Sequence, residues 1–278
     1  MLAFLSNPAK FLARTRLGIP LPEEDAPAEE SEPFTLDGLN RYHIGALLLE
    51  GCLAGRDPDE LYPAVRAAGR LPHGPAGDVL FRRLGAQVRQ LASTAGRALC
   101  GAAPEALEVA CEIDGRQLTG RLPRVTPLGC LQVRCAKLSA RDFLQAWVGH
   151  LVLQVARPSV REPESFLIGL DKRFRLIRVR DAAAVLARLL RLYRRGLTEP
   201  VHAFPKCALA YCLKLRSSGE RAAQAAARQA WEGWKEAHGE GADPYVRLFH
   251  PSGTALDDEF QRLAVEMFGP LLDHCENV

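Results

Sequence analysis

The chain has 278 residues, 47% apolar and 25% charged, proportions typical of a globular protein with a hydrophobic core. No apolar run is long enough to cross a bilayer, since the longest, residues 143–156, contains Gln145, His150 and Gln154. The net charge of +3 is too small to indicate a partner, and we expect a cytoplasmic protein with no secretory signal and no membrane segment.

The first 33 residues are predicted to lie outside the main domain. Residues 2–17 have the pattern of a short helix that ends at Gly18. Pro20 and Pro22 prevent the helix from continuing. We assign residues 1–20 to an N-terminal helix that continues from an upstream region. Residues 21–33 are predicted to be an acidic linker, since residues 22–33 hold six acids and no base. Residues 34–278 are predicted to form one domain.

Three more helices are predicted between the acidic linker and the first strand. Asp37 is suited to cap a helix that runs to about residue 53, with Gly55 just past its end. A second helix covers roughly residues 59–68, and a third covers residues 78–99.

The clearest local pattern is a β-hairpin around Asp114 and Gly115, the preferred residues of a two-residue turn. Counting outward from the turn fixes the register, because each step back on one strand matches a step forward on the other. The predicted pairs are Ile113 with Arg116, Glu112 with Gln117, Cys111 with Leu118, Val109 with Gly120, Glu108 with Arg121 and Leu107 with Leu122. This register puts the apolar residues on one face and the charged residues on the other.

Strands and helices alternate after the hairpin. A third strand is predicted over residues 130–137, and Ser139 with Asp142 has the spacing of a capping box for the next helix. Two strands follow at residues 164–169 and 174–179, and then a helix over residues 182–195. An alanine-rich helix that carries Trp231 and Trp234 and a last helix over residues 257–274 complete the chain. The order predicts an α/β fold in which helices flank a mixed β-sheet.

The sequence lacks the motifs of common cofactor and catalytic sites. It contains no GxxxxGK[ST], no HExxH and no GxSxG. Its eight cysteines form no CxxC pair, so we expect structural thiols in a reducing compartment rather than a zinc site. We therefore predict no cofactor, no metal and no catalytic residue.

The hairpin, third strand and helix follow the layout of restriction-endonuclease-like nucleases of the PD-(D/E)xK type. Those enzymes need one acid at the end of the second strand and another two residues before a lysine on the third, because carboxylates hold the divalent ion. Here the two positions are Pro123 and Cys135, followed by Lys137; the next helix has Gln145 and Gly149 where Gln-xxx-Tyr is frequent. The sequence predicts this fold with a degenerate active site.

Positive charge is concentrated in the middle of the chain. Residues 110–196 contain 17 Lys or Arg against 7 Asp or Glu, which suggests a polyanion at one surface. An arginine-rich composition, 30 of the 36 basic residues being Arg, is the alternative explanation. Three of the arginines have the spacing of a helix stripe. The candidate phosphate contacts are Arg121, Arg124, Arg134, Lys137, Arg173, and the stripe of Arg188, Arg191 and Arg195.

Several sequence blocks occur in a specific order. They are FTLDGLNRYHIGALLLEGCLAG, GRLPHGPAG, LTGRL followed by LQVR and LSARDFLQAWVGHLVL, FPKCALAY, AWEG and GEGADPYVRLF. In this order they resemble the C-terminal domain of the RecC family, the gamma subunits of exodeoxyribonuclease V (the RecBCD helicase-nuclease). The resemblance runs from about Asn7 to about His274, with departures at His43 and Cys207. The family subunit is much longer, so the chain would be its last part.

The resemblance implies a nuclease-like domain that has lost its active site. It also implies a heterotrimer with RecB-like and RecD-like subunits, in which this domain holds the complex together and guides or splits double-stranded or forked DNA during double-strand break repair. Exonuclease, helicase and ATP hydrolysis would belong to the complex rather than to this chain. From the residues alone, an active metal-dependent nuclease and a protein–protein adapter without DNA contact remain alternatives.

Overall fold

The computed structural model describes residues 1–21, 38–99, 103–234, 237–251 and 255–278. The predicted cap Asp37 and the predicted acidic linker, apart from Leu21, lie outside these residues. The fold is the expected mixture of helices and mixed β-sheet.

The N-terminal segment is not the single helix predicted for residues 2–17. Helix α1 (Leu2–Ser6) and helix α2 (Pro8–Phe11) are separated at Asn7, and a π-helical turn, Leu12–Arg16, follows. Pro8 has no N–H to continue α1, while Asn7 caps α2 by accepting a hydrogen bond from the backbone N–H of Lys10 at 2.9 Å. Phe4 is fully buried against residues far along the chain, so this segment is part of the main core.

The predicted helical region before the first strand is present. It consists of α3 (Gly38–Leu53), a short 3₁₀ helix (Pro58–Leu61), α4 (Tyr62–Ala67) and α5 (Pro75–Leu99), which begins three residues earlier than predicted. Ile44 and Leu48 of α3 pack against Phe81 and Val88 of α5 in a small hydrophobic cluster.

The hairpin has the predicted register at every predicted pair. Strands β1 (Glu105–Ile113) and β2 (Arg116–Val125) are antiparallel, and Asp114 and Gly115 have φ of 54° and 70°. These left-handed angles give the twist that a two-residue turn needs between strands. Val109 and Ile113 are buried, so the predicted apolar face does pack on the core.

The remaining elements carry the main sheet and the C-terminal helices. In chain order they are β3 (Leu131–Val133), α6 (Ala140–Ala156), β4 (Ser165–Ile168), β5 (Arg173–Leu176), α7 (Ala182–Arg195), α8 (Pro205–Ser218), α9 (Glu220–Glu232), β6 (Gly233–Trp234), β7 (Ala237–His238), α10 (Pro244–Phe249), α11 (Asp258–Asp273) and β8 (Cys275–Asn277). Trp234 therefore follows the alanine-rich helix instead of belonging to it.

The main sheet has the strand order β3-β4-β5-β8. Strands β3 and β4 are parallel and are connected by α6, whereas β5 is antiparallel to both of its neighbours. Within the described residues, the hairpin forms its own two-stranded ladder and meets this sheet through one bridge between Val125 and Cys130. The sequence did not predict β8, whose pairing with β5 joins residues about a hundred positions apart.

The two faces of the sheet are covered by different hydrophobic clusters. On β4, Phe166 and Ile168 pack with the small cluster of α3 and α5, while Leu167 packs with the large cluster. The large cluster also contains Trp147 of α6 and Leu189 of α7. This alternation follows from the two-residue period of a strand.

A buried polar network links α6 to the sheet. His150 is fully buried, and its Nε2 donates to the carbonyl of Ile177 at 2.9 Å, so its Nδ1 accepts from the Ser165 hydroxyl at 2.8 Å. Ser165 Oγ in turn accepts from the backbone N–H of Cys130 at 2.9 Å. Burial lowers the pKa of His150 to about 4, so the imidazole is neutral at physiological pH.

Candidate nucleic-acid interface

The positions predicted from the nuclease layout differ from the expected strand positions. Pro123 lies inside β2, which continues to Val125, rather than at its end. Strand β3 ends at Val133, so Cys135 and Lys137 lie in the loop before α6 instead of on the strand. At the next residue, Arg134, the backbone N–H still donates to the carbonyl of Ile168 at 2.9 Å, and the side chain pairs with Asp142 of α6.

The structure does not bring Pro123 and Cys135, the two positions compared with the nuclease acids, together in one groove. Pro123 lines a groove of about 140 Å³ with Arg121, Arg124, Gln145 and Gly149, and neither Cys135 nor Lys137 lines it. The Cys135 side chain is buried against α3: a Cβ added at Gly45 would lie 2.7 Å from its Sγ. Burial raises the pKa of the Cys135 thiol, and the Lys137 side chain is exposed.

The donor groups at these positions do not suit a divalent ion. A proline offers no side-chain ligand, a protonated thiol is a poor ligand for Mg²⁺, and the guanidinium groups of Arg121 and Arg124 repel cations. Across the described ranges, no group of three or more His, Cys, Asp or Glu side chains is placed to hold a metal. The seven cysteines in those ranges are free thiols.

Three of the predicted phosphate contacts are engaged within the protein. Arg134 makes an ion pair with the buried carboxylate of Asp142, with Nη1 2.5 Å from Oδ1, and lies over the Tyr42 ring at 5.1 Å. Only 27% of its side chain is exposed. Arg124 pairs with Glu50 of α3, and Arg121 makes an exposed cross-strand pair with Glu108 at 3.5 Å.

Asp142 is also the acid of the predicted capping box. Its Oδ2 accepts a hydrogen bond from the backbone N–H of Ser139 at 2.7 Å, and the capping box is present at the start of α6. Arg134 therefore connects the loop after β3 to α6 and to α3. These contacts hold the guanidinium of Arg134 in place, so fewer of its N–H groups are left to bind an external anion.

The three arginines of the α7 stripe do not all take part in the same contacts. Asp181 caps the helix by accepting from the backbone N–H of Ala184 at 3.0 Å, as predicted, and the three arginines are exposed on its outer side. Arg191 lies 3.6 Å from Asp114 at the hairpin turn. Arg195 pairs with Glu199 and, at 2.5 Å, with Glu259. Arg188 lies about one turn before Arg191 and about two turns before Arg195.

A groove at the C-terminal end of α7 collects arginines from three separate segments. It has a volume of about 550 Å³ and is lined by Arg16, Arg116, Arg191, Arg194, Arg195, Leu197 and Thr198. We name it the arginine groove. Arg173, in contrast, lies in a different groove between α5 and the turn before β5, where its Nε donates to the carbonyl of Val278.

Sequence reasoning missed Arg16, Arg116 and Arg194. Arg16 belongs to a turn predicted as ordinary helix, and Arg116 was recognised only as a partner in the hairpin register. Arg194 falls outside the stripe spacing. The available signal was the hairpin itself, because its turn fixes where Arg116 projects, but its approach to α7 depends on tertiary packing.

No helix in the described part of the chain is both long and apolar enough to cross a membrane.

Comparison with known proteins gives a consistent result. The family model for the RecC C-terminal domain matches residues 1–216. The RecBCD enzyme subunit RecC of Escherichia coli strain K12 is 30% identical over 281 residues, covering 95% of this chain and 25% of the relative. The RecC subunit of Mycobacterium tuberculosis strain H37Rv is 30% identical over 208 residues, covering 72% of this chain and 19% of the relative. The chain thus spans a quarter or less of the length of these relatives.

Proposed function

Because the chain belongs to the RecC C-terminal domain family, we propose that it is a non-catalytic, DNA-handling and scaffolding domain of a RecBCD-type complex. Its partners would be RecB-like and RecD-like subunits and double-stranded or forked DNA. It would act in the cytoplasm, in the processing of DNA ends for recombinational repair.

The non-catalytic part of this proposal is supported by the residues at the former metal positions. Pro123 and Cys135 supply no carboxylate, and guanidinium groups line the groove beside Pro123. A nuclease of this type needs a divalent ion to generate its nucleophile and to stabilise charge on the phosphate. We propose that the domain keeps the nuclease-like fold as a scaffold and has lost the chemistry.

The DNA-handling part is supported by one observation above all, the gathering of exposed arginines from three segments around the end of α7. Phosphate groups supply most of the affinity in non-specific DNA binding, and arginine binds them with two parallel hydrogen bonds. A protein–protein adapter without DNA contact would need an acidic partner to neutralise this positive charge.

Reconstitution with the other subunits tests the proposal. The purified chain should co-elute with RecB-like and RecD-like proteins from the same source in size-exclusion chromatography, and it should bind forked DNA in fluorescence anisotropy. Binding by the chain alone should be weak, with Kd about 10⁻⁴ to 10⁻⁶ M, and should show little sequence preference. Co-elution without any DNA binding, alone or in the complex, would support the adapter alternative instead.

A further inference from the structure

The arginine groove is built from parts of the chain that are distant in sequence. Arg16 ends the N-terminal π-helical turn, Arg116 is the first residue of β2, and Arg194 belongs to the last turn of α7. Two contacts hold these segments in place. Arg16 Nε donates to the carbonyl of Leu197 at 3.3 Å, and Arg191 lies 3.6 Å from Asp114 at the hairpin turn.

In the part of the chain that the structure describes, some of the arginines at this site are paired with carboxylates and others are not. Glu199 and Glu259 pair with Arg195, and Asp114 lies near Arg191, but no carboxylate among the described residues lines the groove. Within the described ranges, neither Arg116 nor Arg194 makes an ion pair with a carboxylate, and both side chains are exposed. The groove therefore has guanidinium groups available to an external anion.

The side chains that line the groove determine which kind of anion it can bind. Guanidinium groups bind phosphate oxygens bidentately, and several of them along an open groove suit a chain of phosphates better than a single small ion. The lining has no aromatic side chain among the described residues, so it offers no platform on which bases could stack.

We propose that the arginine groove is a binding site for the phosphodiester backbone of a DNA strand, which it recognises through phosphates and not through bases. This inference rests on the proposed DNA-handling function and assigns it to one place: the junction of the hairpin turn with the end of α7. A strand bound there lies against the hairpin turn.

Charge reversal at Arg116 and Arg194, which make no ion pair within the described residues, tests the site. The full chain with Arg116→Glu and Arg194→Glu is compared with a matched control, Arg221→Glu and Arg228→Glu, which makes the same change in net charge on exposed residues of α9. Binding of a labelled single-stranded oligonucleotide and of an abasic oligonucleotide of equal length is measured by anisotropy from about 50 to 200 mM salt.

The groove variant should lower the log–log salt slope by about 1.4, because each phosphate contact on a single strand contributes about 0.7. Its affinity should fall about tenfold at low salt, while the control stays within about twofold of wild type. The abasic oligonucleotide should bind wild type as well as the normal one does.

Three results would overturn the inference. Equal weakening by both variants would show that only the general field of the protein matters. A groove variant that binds like wild type would assign the groove to an acidic protein partner, and strong discrimination against the abasic oligonucleotide would show base recognition. If wild type itself binds no DNA, alone or with its partner subunits, the proposed function fails first.

Discussion

His150 provides a way to test the buried network by pH. Its neutral imidazole already uses both ring nitrogens, one as donor to Ile177 and one as acceptor from Ser165. A second ring proton would leave the Ser165 hydroxyl facing a donor and would place a charge in the core. Burial accordingly lowers the pKa of His150 from 6.5 to about 4.

The direction of the effect on stability follows from proton binding. Between pH 6.5 and pH 4 the unfolded chain binds a proton at His150 that the folded chain does not, so acid favours unfolding. This contribution to stability is complete above pH 6.5 and is lost as the pH falls toward 4. At pH 5 the free energy of unfolding should be lower than at pH 7.5 by about 2 kcal/mol from this residue alone. For a domain of this size that corresponds to about 4–8 °C in Tm.

Urea denaturation of wild type and of His150→Gln at several pH values measures this contribution. Glutamine keeps one donor and one acceptor and does not titrate, so the variant is expected to be less stable at pH 7.5 but to lose less stability in acid. The difference between the two proteins should shrink by about 2 kcal/mol from pH 7.5 to pH 5. His250, whose pKa burial also lowers, is present in both proteins and cancels. Parallel pH profiles would refute the argument.

The ion pair of Arg134, the proposed loss of nuclease activity and the acidic segment each give a further prediction. Arg134→Ala leaves the buried carboxylate of Asp142 without its guanidinium partner and should cost about 2 kcal/mol in urea denaturation. Arg121→Ala, which removes an exposed pair, should cost less than about 0.5 kcal/mol, and equal losses would argue against the structural role of Arg134. The purified chain should not cut DNA with Mg²⁺ or Mn²⁺; cleavage that survives repurification and disappears in Lys137→Ala would contradict this. Deleting residues 22–33 should leave Tm nearly unchanged, since so charged a segment buries little apolar surface, and a loss of several degrees would show that it docks.

Local sequence patterns predicted an element correctly where a single turn or a single capping residue determines its position. The hairpin register is correct because the Asp114-Gly115 turn fixes it, and α7 is correct because Asp181 caps it. The N-terminal helix is wrong at Asn7, where a proline at the next position favours a new helix start over continuation. Strand β3 is shorter than predicted and ends at Val133. The next residue, Arg134, makes a tertiary ion pair with Asp142 that no local pattern contains.

The candidate site was harder to predict because it depends on tertiary packing. The charge count indicated the region that supplies Arg116, Arg191 and Arg194, but helical spacing selected Arg188, which does not line the arginine groove. Arg16 lines the groove because the N-terminal turn packs beside the end of α7, where Arg16 donates to the carbonyl of Leu197. Such a site, made from residues 16, 116 and 191–198, has no periodic signature in the sequence.

Strand β4 contributes residues to both hydrophobic clusters, and this limits how the strand can move. Because Leu167 belongs to one cluster and Ile168 to the other, this four-residue strand cannot shift along its axis without disturbing both. Displacing α3 or α5 would therefore disturb, through β4, the cluster that contains Trp147 of α6 and Leu189 of α7. In hydrogen exchange, the amides of β4 should open only when the whole domain unfolds, so the two layers behave as one cooperative unit.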